Sequence, residues 1–202
     1  MATIYDLKPR FQALLRPLAA RLVTAGFSAN SVTLAALILS LLQGAAIAFW
    51  PNALWPLALL PVTLFVRMAL NAIDGIMAKE HDQKTVEGAL LNELSDVVSD
   101  AALYLPFALI SGVNALLVVL IVVMSVIAEM TGVLGQAIGG TRRYEGPFGK
   151  SDRAFGFGAL AVLMVVGLTP GAWTTFVLGA MLALAVLTVW NRAKQAVVEA
   201  GA

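Results

Sequence analysis

Apolar residues fill this chain in six long blocks, cut by short polar or turn-forming clusters. The blocks run roughly over Val32–Trp50, Leu54–Ile76, Gly88–Ile110, Asn114–Ile138, Ala154–Leu168 and Ala172–Val189. A helix of about 20 mainly apolar residues crosses a bilayer, so each block predicts a transmembrane helix. The fifth is short, which predicts extension by its flanks or a thinned bilayer. Pro51-Asn52, Ser111-Gly112 and Thr169-Pro170-Gly171 predict three tight turns. Ahead of the first block the pattern changes. Ile4, Leu7, Phe11, Leu14, Leu15, Leu18 and Leu22 recur at threes and fours, with Lys8, Arg10, Arg16 and Arg21 between them. This predicts an amphipathic helix over 3–25, lying in the membrane interface and bent at Pro17. A basic tip, a compact apolar core and a small-residue cleavage site do not occur there, so no secretory leader is expected.

Composition agrees with the pattern. The chain is 60% hydrophobic and 12% charged, whereas a soluble domain is nearer half and a quarter; an ordinary soluble globular domain is excluded. No cysteine is present, which removes disulfides and thiol chemistry. The net charge of +1 decides nothing, but its distribution does. The three predicted turns carry no charge, while Lys8, Arg10, Arg16, Arg21, Lys79, Lys84, Arg142, Arg143, Lys150, Arg153, Arg192 and Lys194 all fall to the other side; Arg67 alone stands apart. By the positive-inside rule both termini and the two long loops face the cytoplasm. Trp50, Trp55, Trp173 and Trp190 sit near block ends, as interfacial anchors do. The expected fold is all-α and integral to the inner membrane, with six transmembrane helices and an N-terminal interfacial helix. It forms one domain over 1–202, without an internal repeat or linker.

Against this background three aspartates stand out inside apolar blocks: Asp74, Asp96 and Asp100. Ionisable residues at membrane depth are costly and mark functional sites by default. On the second block Asn71, Asp74, Gly75 and Ala78 lie at i, i+3, i+4 and i+7; on the third, Asn92, Asp96 and Asp100 lie at i, i+4 and i+8, with Gly88 one turn earlier. Each set shares one helix face. Both lie at predicted cytoplasmic ends, joined by the polar loop Lys79–Glu87, so carboxylates and carboxamides converge. Oxygen-only ligands suit Mg²⁺, Mn²⁺ or Ca²⁺. The single histidine, His81, falls in the loop. Small residues at 75, 78 and 88 leave room for a bulky ligand. Together these features point to phosphoryl-type transfer onto a lipid.

The residues resemble the CDP-alcohol phosphatidyltransferase family. That family's signature is D-x2-D-G-x2-A-R-x8-G-x3-D-x3-D, and this chain reads N-x2-D-G-x2-A-K-x8-G-x3-N-x3-D from Asn71 to Asp96 with every spacing kept. The segment Gly26–Thr33 (GFSANSVT) is similar to the one preceding that family's first span. The resemblance implies metal ligation by Asp74 and Asp96, with Asn71 and Asn92 at the first and third aspartate positions. It implies activation of the acceptor hydroxyl by Asp96, and nucleotide binding around Asp74, Gly75, Ala78, Lys79 and Gly88. The implied cofactor is Mg²⁺ or Mn²⁺, one or two ions. Two carboxylates fewer leave three alternatives open: one metal instead of two, recruitment of Asp100 or Glu93, or loss of catalysis. Asp100 is one turn beyond Asp96 on the same face and is counted with the metal ligands.

A second basic constellation follows the fourth block. Four cations, Arg142, Arg143, Lys150 and Arg153, share Gly139–Arg153 with four glycines. Gly149-Lys150-Ser151 fails as a phosphate loop, since Tyr144 stands where glycine is required and no strand precedes it. The cluster predicts an anion pocket for a phosphorylated acceptor or for the CDP pyrophosphate. Glu129 is expected to pair with Arg67 or to line the acceptor cavity. The functional expectation is transfer of a phosphatidyl group from CDP-diacylglycerol to a polar alcohol, phosphorylated alcohols included, with release of CMP in phospholipid biosynthesis. The alternative is an inactive CDP-lipid-binding protein of the same fold. Partners are CDP-diacylglycerol, the alcohol, membrane lipids and a second copy of the chain; nucleic acid is not expected.

Overall fold

The computed structural model describes residues 4–201, with side chains from residue 11 onward. Residues 1–3 and 202, and the side chains of Ile4, Leu7, Lys8 and Arg10, lie outside the described residues. Among the described residues seven α-helices follow one another: α1 (Ile4–Thr24), α2 (Ala29–Phe49), α3 (Leu54–Glu80), α4 (Val86–Tyr104), α5 (Ala115–Ala137), α6 (Lys150–Val165) and α7 (Ala172–Ala200). A short 3₁₀ helix, Leu105–Leu109, follows α4. No strand occurs among the described residues.

Capping sets many of the boundaries. Ser28 Oγ accepts from the Ser31 N–H at 3.2 Å and opens α2, and Thr85 Oγ1 accepts from the Gly88 N–H at 2.9 Å and opens α4. Asn114 Oδ1 accepts from the Leu117 N–H at 3.2 Å and opens α5. Asp152 reaches back to the Gly149 N–H at 2.9 Å, so α6 starts at Lys150 and not at Ala154. At its far end α4 stops at Tyr104, six residues before the predicted Ile110. Pro106 lacks an N–H and disfavours α backbone at Leu105, so the chain tightens into the 3₁₀ turn. α7 continues to Ala200, well past Val189, and α1 runs unbroken through Pro17.

Four helices, α2, α3, α5 and α7, are long and apolar enough to cross a membrane. α4 is interrupted by Glu87, Glu93, Asp96 and Asp100, and α6 has 16 residues. The chain divides into two compact bodies, Met1–Leu42 with Val62–Ser99, and Gln43–Pro61 with Asp100–Ala202.

In the first body Ala19 of α1, Ala29 and Val32 of α2, and Ile73, Ile76 and Met77 of α3 form a buried core, with Leu15, Leu22, Val23, Leu70 and Ala78 packed against it. Leu14 and Leu18 point outward, so α1 carries an apolar outer face as well as its core face. Arg16 pairs with Glu80 at 2.9 Å. Gln83 Oε1 accepts from the Ala29 N–H at 2.7 Å, tying the α3–α4 loop to the foot of α2.

In the second body α5 packs along α7 and the 3₁₀ turn. The three predicted turns meet. The Ser111 N–H donates to Asn52 Oδ1 at 3.3 Å, and at Gly112 (φ +80°) a Cβ would stand 2.9 Å from the Pro170 carbonyl oxygen. Tyr104 stacks on Phe157 with centroids 4.3 Å apart. The loop after α5 folds back onto that helix: the Arg143 N–H donates to the Gly132 carbonyl at 3.1 Å. The extra turns of α7 carry Glu199, which accepts from the Thr141 N–H and pairs with Arg143, both at 2.7 Å.

Candidate functional site

The motif residues of α3 and α4 belong to the first body. Asp74 is buried, and its Oδ2 accepts from Thr33 Oγ1 at 2.8 Å. Thr33 is the last residue of the Gly26–Thr33 segment; its part in orienting Asp74 was not read from the sequence, though the segment was the signal. Asn71 Nδ2 donates to Asp96 Oδ1 at 3.3 Å, joining the two helices. Arg67, one turn before Asn71, is buried; its Nη2 donates to the Asp96 carbonyl at 3.3 Å and lies 3.6 Å from Asp96 Oδ1. Arg67 therefore serves Asp96, and Glu129 has other partners. Asn92 lies half-buried one turn before Asp96, its carbonyl accepting from Ser95 Oγ at 3.1 Å.

The small residues differ in what surrounds them. A Cβ on Gly75 would meet nothing within 4 Å, whereas one on Gly88 would stand 2.6 Å from Asn30 Oδ1. Ala78 packs on the core, and Lys79 is exposed near the end of α3. Among the described residues no group of three or more His, Cys, Asp or Glu stands together as a metal site. The oxygen donors are two carboxylates, Asp74 and Asp96, and two carboxamides, Asn71 and Asn92. Arg67 offsets part of their charge.

Asp100 and the cations of the α5–α6 loop belong to the second body. Arg153 is buried and pairs with both Asp100 (2.9 Å) and Glu129 (2.8 Å). Arg142 Nη2 reaches Glu129 at 3.3 Å. Arg192 Nη1 reaches Glu129 at 3.2 Å and the Ala128 carbonyl at 2.7 Å. Arg143 is clasped between Glu145 and Glu199. Lys150 opens α6, half-buried. Arg192 as a member of this network was missed; in sequence it is one more cation at the foot of α7. Glu145 titrates below the usual carboxylate range. Burial pushes it up, but hydrogen bonds from its own N–H, from Arg143 and from the Tyr144 N–H outweigh that. Arg143 is held above its ordinary value, first by its hydrogen bond to Glu145.

No family model matches the chain. Solved structures that share its fold include two of Mycobacterium tuberculosis phosphatidylinositol phosphate synthase (PgsA1). The complex with manganese and citrate aligns with a TM-score of 0.74 at 19% identity, over 89% of this chain and 87% of that one. The form with CDP-DAG bound aligns with a TM-score of 0.67 at 20% identity, over 91% and 92%. The fold is thus that of phosphatidylinositol phosphate synthase. The chain is also 49% identical over 162 residues to the inner membrane protein YnbA of Escherichia coli strain K12, covering 79% of this chain and 80% of that protein. This chain belongs to the family of that inner membrane protein.

Proposed function

We propose that this protein transfers a phosphatidyl group from CDP-diacylglycerol to a polar alcohol. The observation that carries the reading is the unbroken motif spacing from Asn71 to Asp96, on two helices joined by the Asn71–Asp96 hydrogen bond. The CDP-DAG bound by phosphatidylinositol phosphate synthase on the same fold supports it. Asp96 accepts the proton of the acceptor hydroxyl; the hydroxyl oxygen bonds to the phosphorus that carries diacylglycerol, and the bond from that phosphorus to the CMP oxygen breaks. Arg67 and Asn71 fix the Asp96 carboxylate, and Thr33 fixes Asp74. Open space at Gly75 admits the nucleotide.

The donor set is all oxygen and fits a hard divalent ion. Asp74 and Asp96 against Arg67 leave about one net negative charge, enough to attract one ion and little for a second. Asp74 and Asp96, with Asn71 and Asn92, would hold it, and it would offset charge on the pyrophosphate. The manganese complex of phosphatidylinositol phosphate synthase supports divalent-ion use. Asp100 is committed to Arg153 and is the weaker candidate ligand. α4 and α6 also span, making six spans with both termini cytoplasmic; the meeting of the three uncharged turns supports this.

The same charge count favours a second reading, a protein that holds CDP-lipid without turnover. Purified protein with CDP-diacylglycerol, Mn²⁺ and a panel of alcohols separates the two. CMP release is expected, and Asp74→Asn and Asp96→Asn should each abolish it in folded protein. CDP-lipid binding without CMP release from any alcohol would establish the second reading.

A further inference from the structure

The second body holds charged groups that the transfer chemistry does not use. Glu129 of α5 lies between three guanidinium groups drawn from three stretches of chain. Arg153 of α6 reaches Oε1 at 2.8 Å, while Arg142 of the loop and Arg192 of α7 reach Oε2 at 3.3 and 3.2 Å. The Glu129 side chain is 12% exposed, against 2% for Arg153 and 3% for Arg192. Asp100 takes a second contact from Arg153 at 2.9 Å. Three cations thus face two carboxylates.

Converging guanidinium forks recognise phosphate through short, charge-assisted hydrogen bonds. Here the anion at their focus is a side chain of the same body. A tethered carboxylate competes at an effective concentration that a dilute ligand does not match. Nor can so deeply buried a carboxylate be left unpaired. We infer that Glu129 is a resident anion that closes a three-arginine phosphate site.

The test titrates inorganic phosphate into the full chain in neutral detergent, following heat of binding and thermal midpoint. Wild type should show no saturable binding. Glu129→Gln keeps the shape and removes the charge; it should bind phosphate at least about tenfold more tightly than wild type, as expected for one charge-assisted contact, and lose it again with Arg192→Gln. Saturable phosphate binding by wild type would overturn the proposal, as would a folded Glu129→Gln that binds none. If Glu129→Gln unfolds during purification, it is prepared with phosphate throughout. Recovery then supports the site and failure to recover overturns it. A parallel series in phosphatidylcholine nanodiscs, with and without phosphatidic acid, separates sources. A response of the variant to phosphatidic acid alone would mark a lipid-headgroup site and overturn the assignment to free phosphate. None of these measurements needs CMP release, so a protein that behaves this way yet transfers nothing would remove the transferase reading alone.

Discussion

Gly75 and Gly88 are equivalent letters in the motif, yet their surroundings differ. Gly88 is small because Asn30 Oδ1 would lie 2.6 Å from its Cβ, whereas the space at Gly75 is open to 4 Å. Gly75→Ala should therefore leave the fold intact and gain about 0.5–1 kcal/mol of helix stability. If the space at Gly75 admits the nucleotide, the same change should weaken CDP-diacylglycerol binding at least about tenfold. Thermal unfolding and lipid-analogue binding on one preparation check both halves, and unchanged affinity would remove Gly75 from the nucleotide site. The chemical residue types at Asn71, Asp74, Asn92 and Asp96 were legible in sequence because fixed spacing implies a shared helix face. Their partners were not. Thr33 contacts Asp74 across 41 positions and Arg67 contacts Asp96 across 29, and periodicity within one helix carries no information about such pairs.

Helix cores were legible from apolar blocks, while several ends were decided by single side chains: Pro106 ends α4 early, and Asp152 starts α6 early. The long tail of α7 has a reason that hydropathy could not supply, since Glu199 is needed to hold the loop that follows α5. That loop also carries a pH-sensitive contact. Glu145 has a lowered folded value, so its contribution is complete above the ordinary carboxylate range and is lost as pH falls through the folded value. The clasp on Arg143 should accordingly loosen on acidification below that range. Hydrogen exchange or limited proteolysis across 139–149, as a function of pH, measures it. Glu145→Gln should loosen the loop at neutral pH and leave only the pH dependence that Glu199 contributes; a wild-type loop equally protected at low pH would contradict the assignment.

For the whole molecule, the sequence was informative about architecture because lipid demands complete helices, but charge within α4 and the shortness of α6 leave two of the six expected spans without the length or apolar character that marks the other four. Topology can be read directly because the chain has no cysteine of its own. Single cysteines at Asn52, Ser111 and Thr169 should react with a membrane-impermeant maleimide added outside spheroplasts, and cysteines at Lys84 and Thr141 only after permeabilisation. Labelling of Ser111 on the same side as Lys84 would show that α4 does not cross. The hydrogen bond from Asn71 to Asp96 also bears on how the protein is made. With four motif carboxylates, α3 and α4 would repel until a cation arrived. An amide facing a carboxylate removes that requirement, so the helix pair is expected to close during insertion even in a cell starved of divalent metal. A chelator should leave the unfolding midpoint of wild type where it was and lower that of Asn71→Asp. On the proposed function, the asparagine would separate biogenesis from metal supply: the chain would mature first and be loaded later.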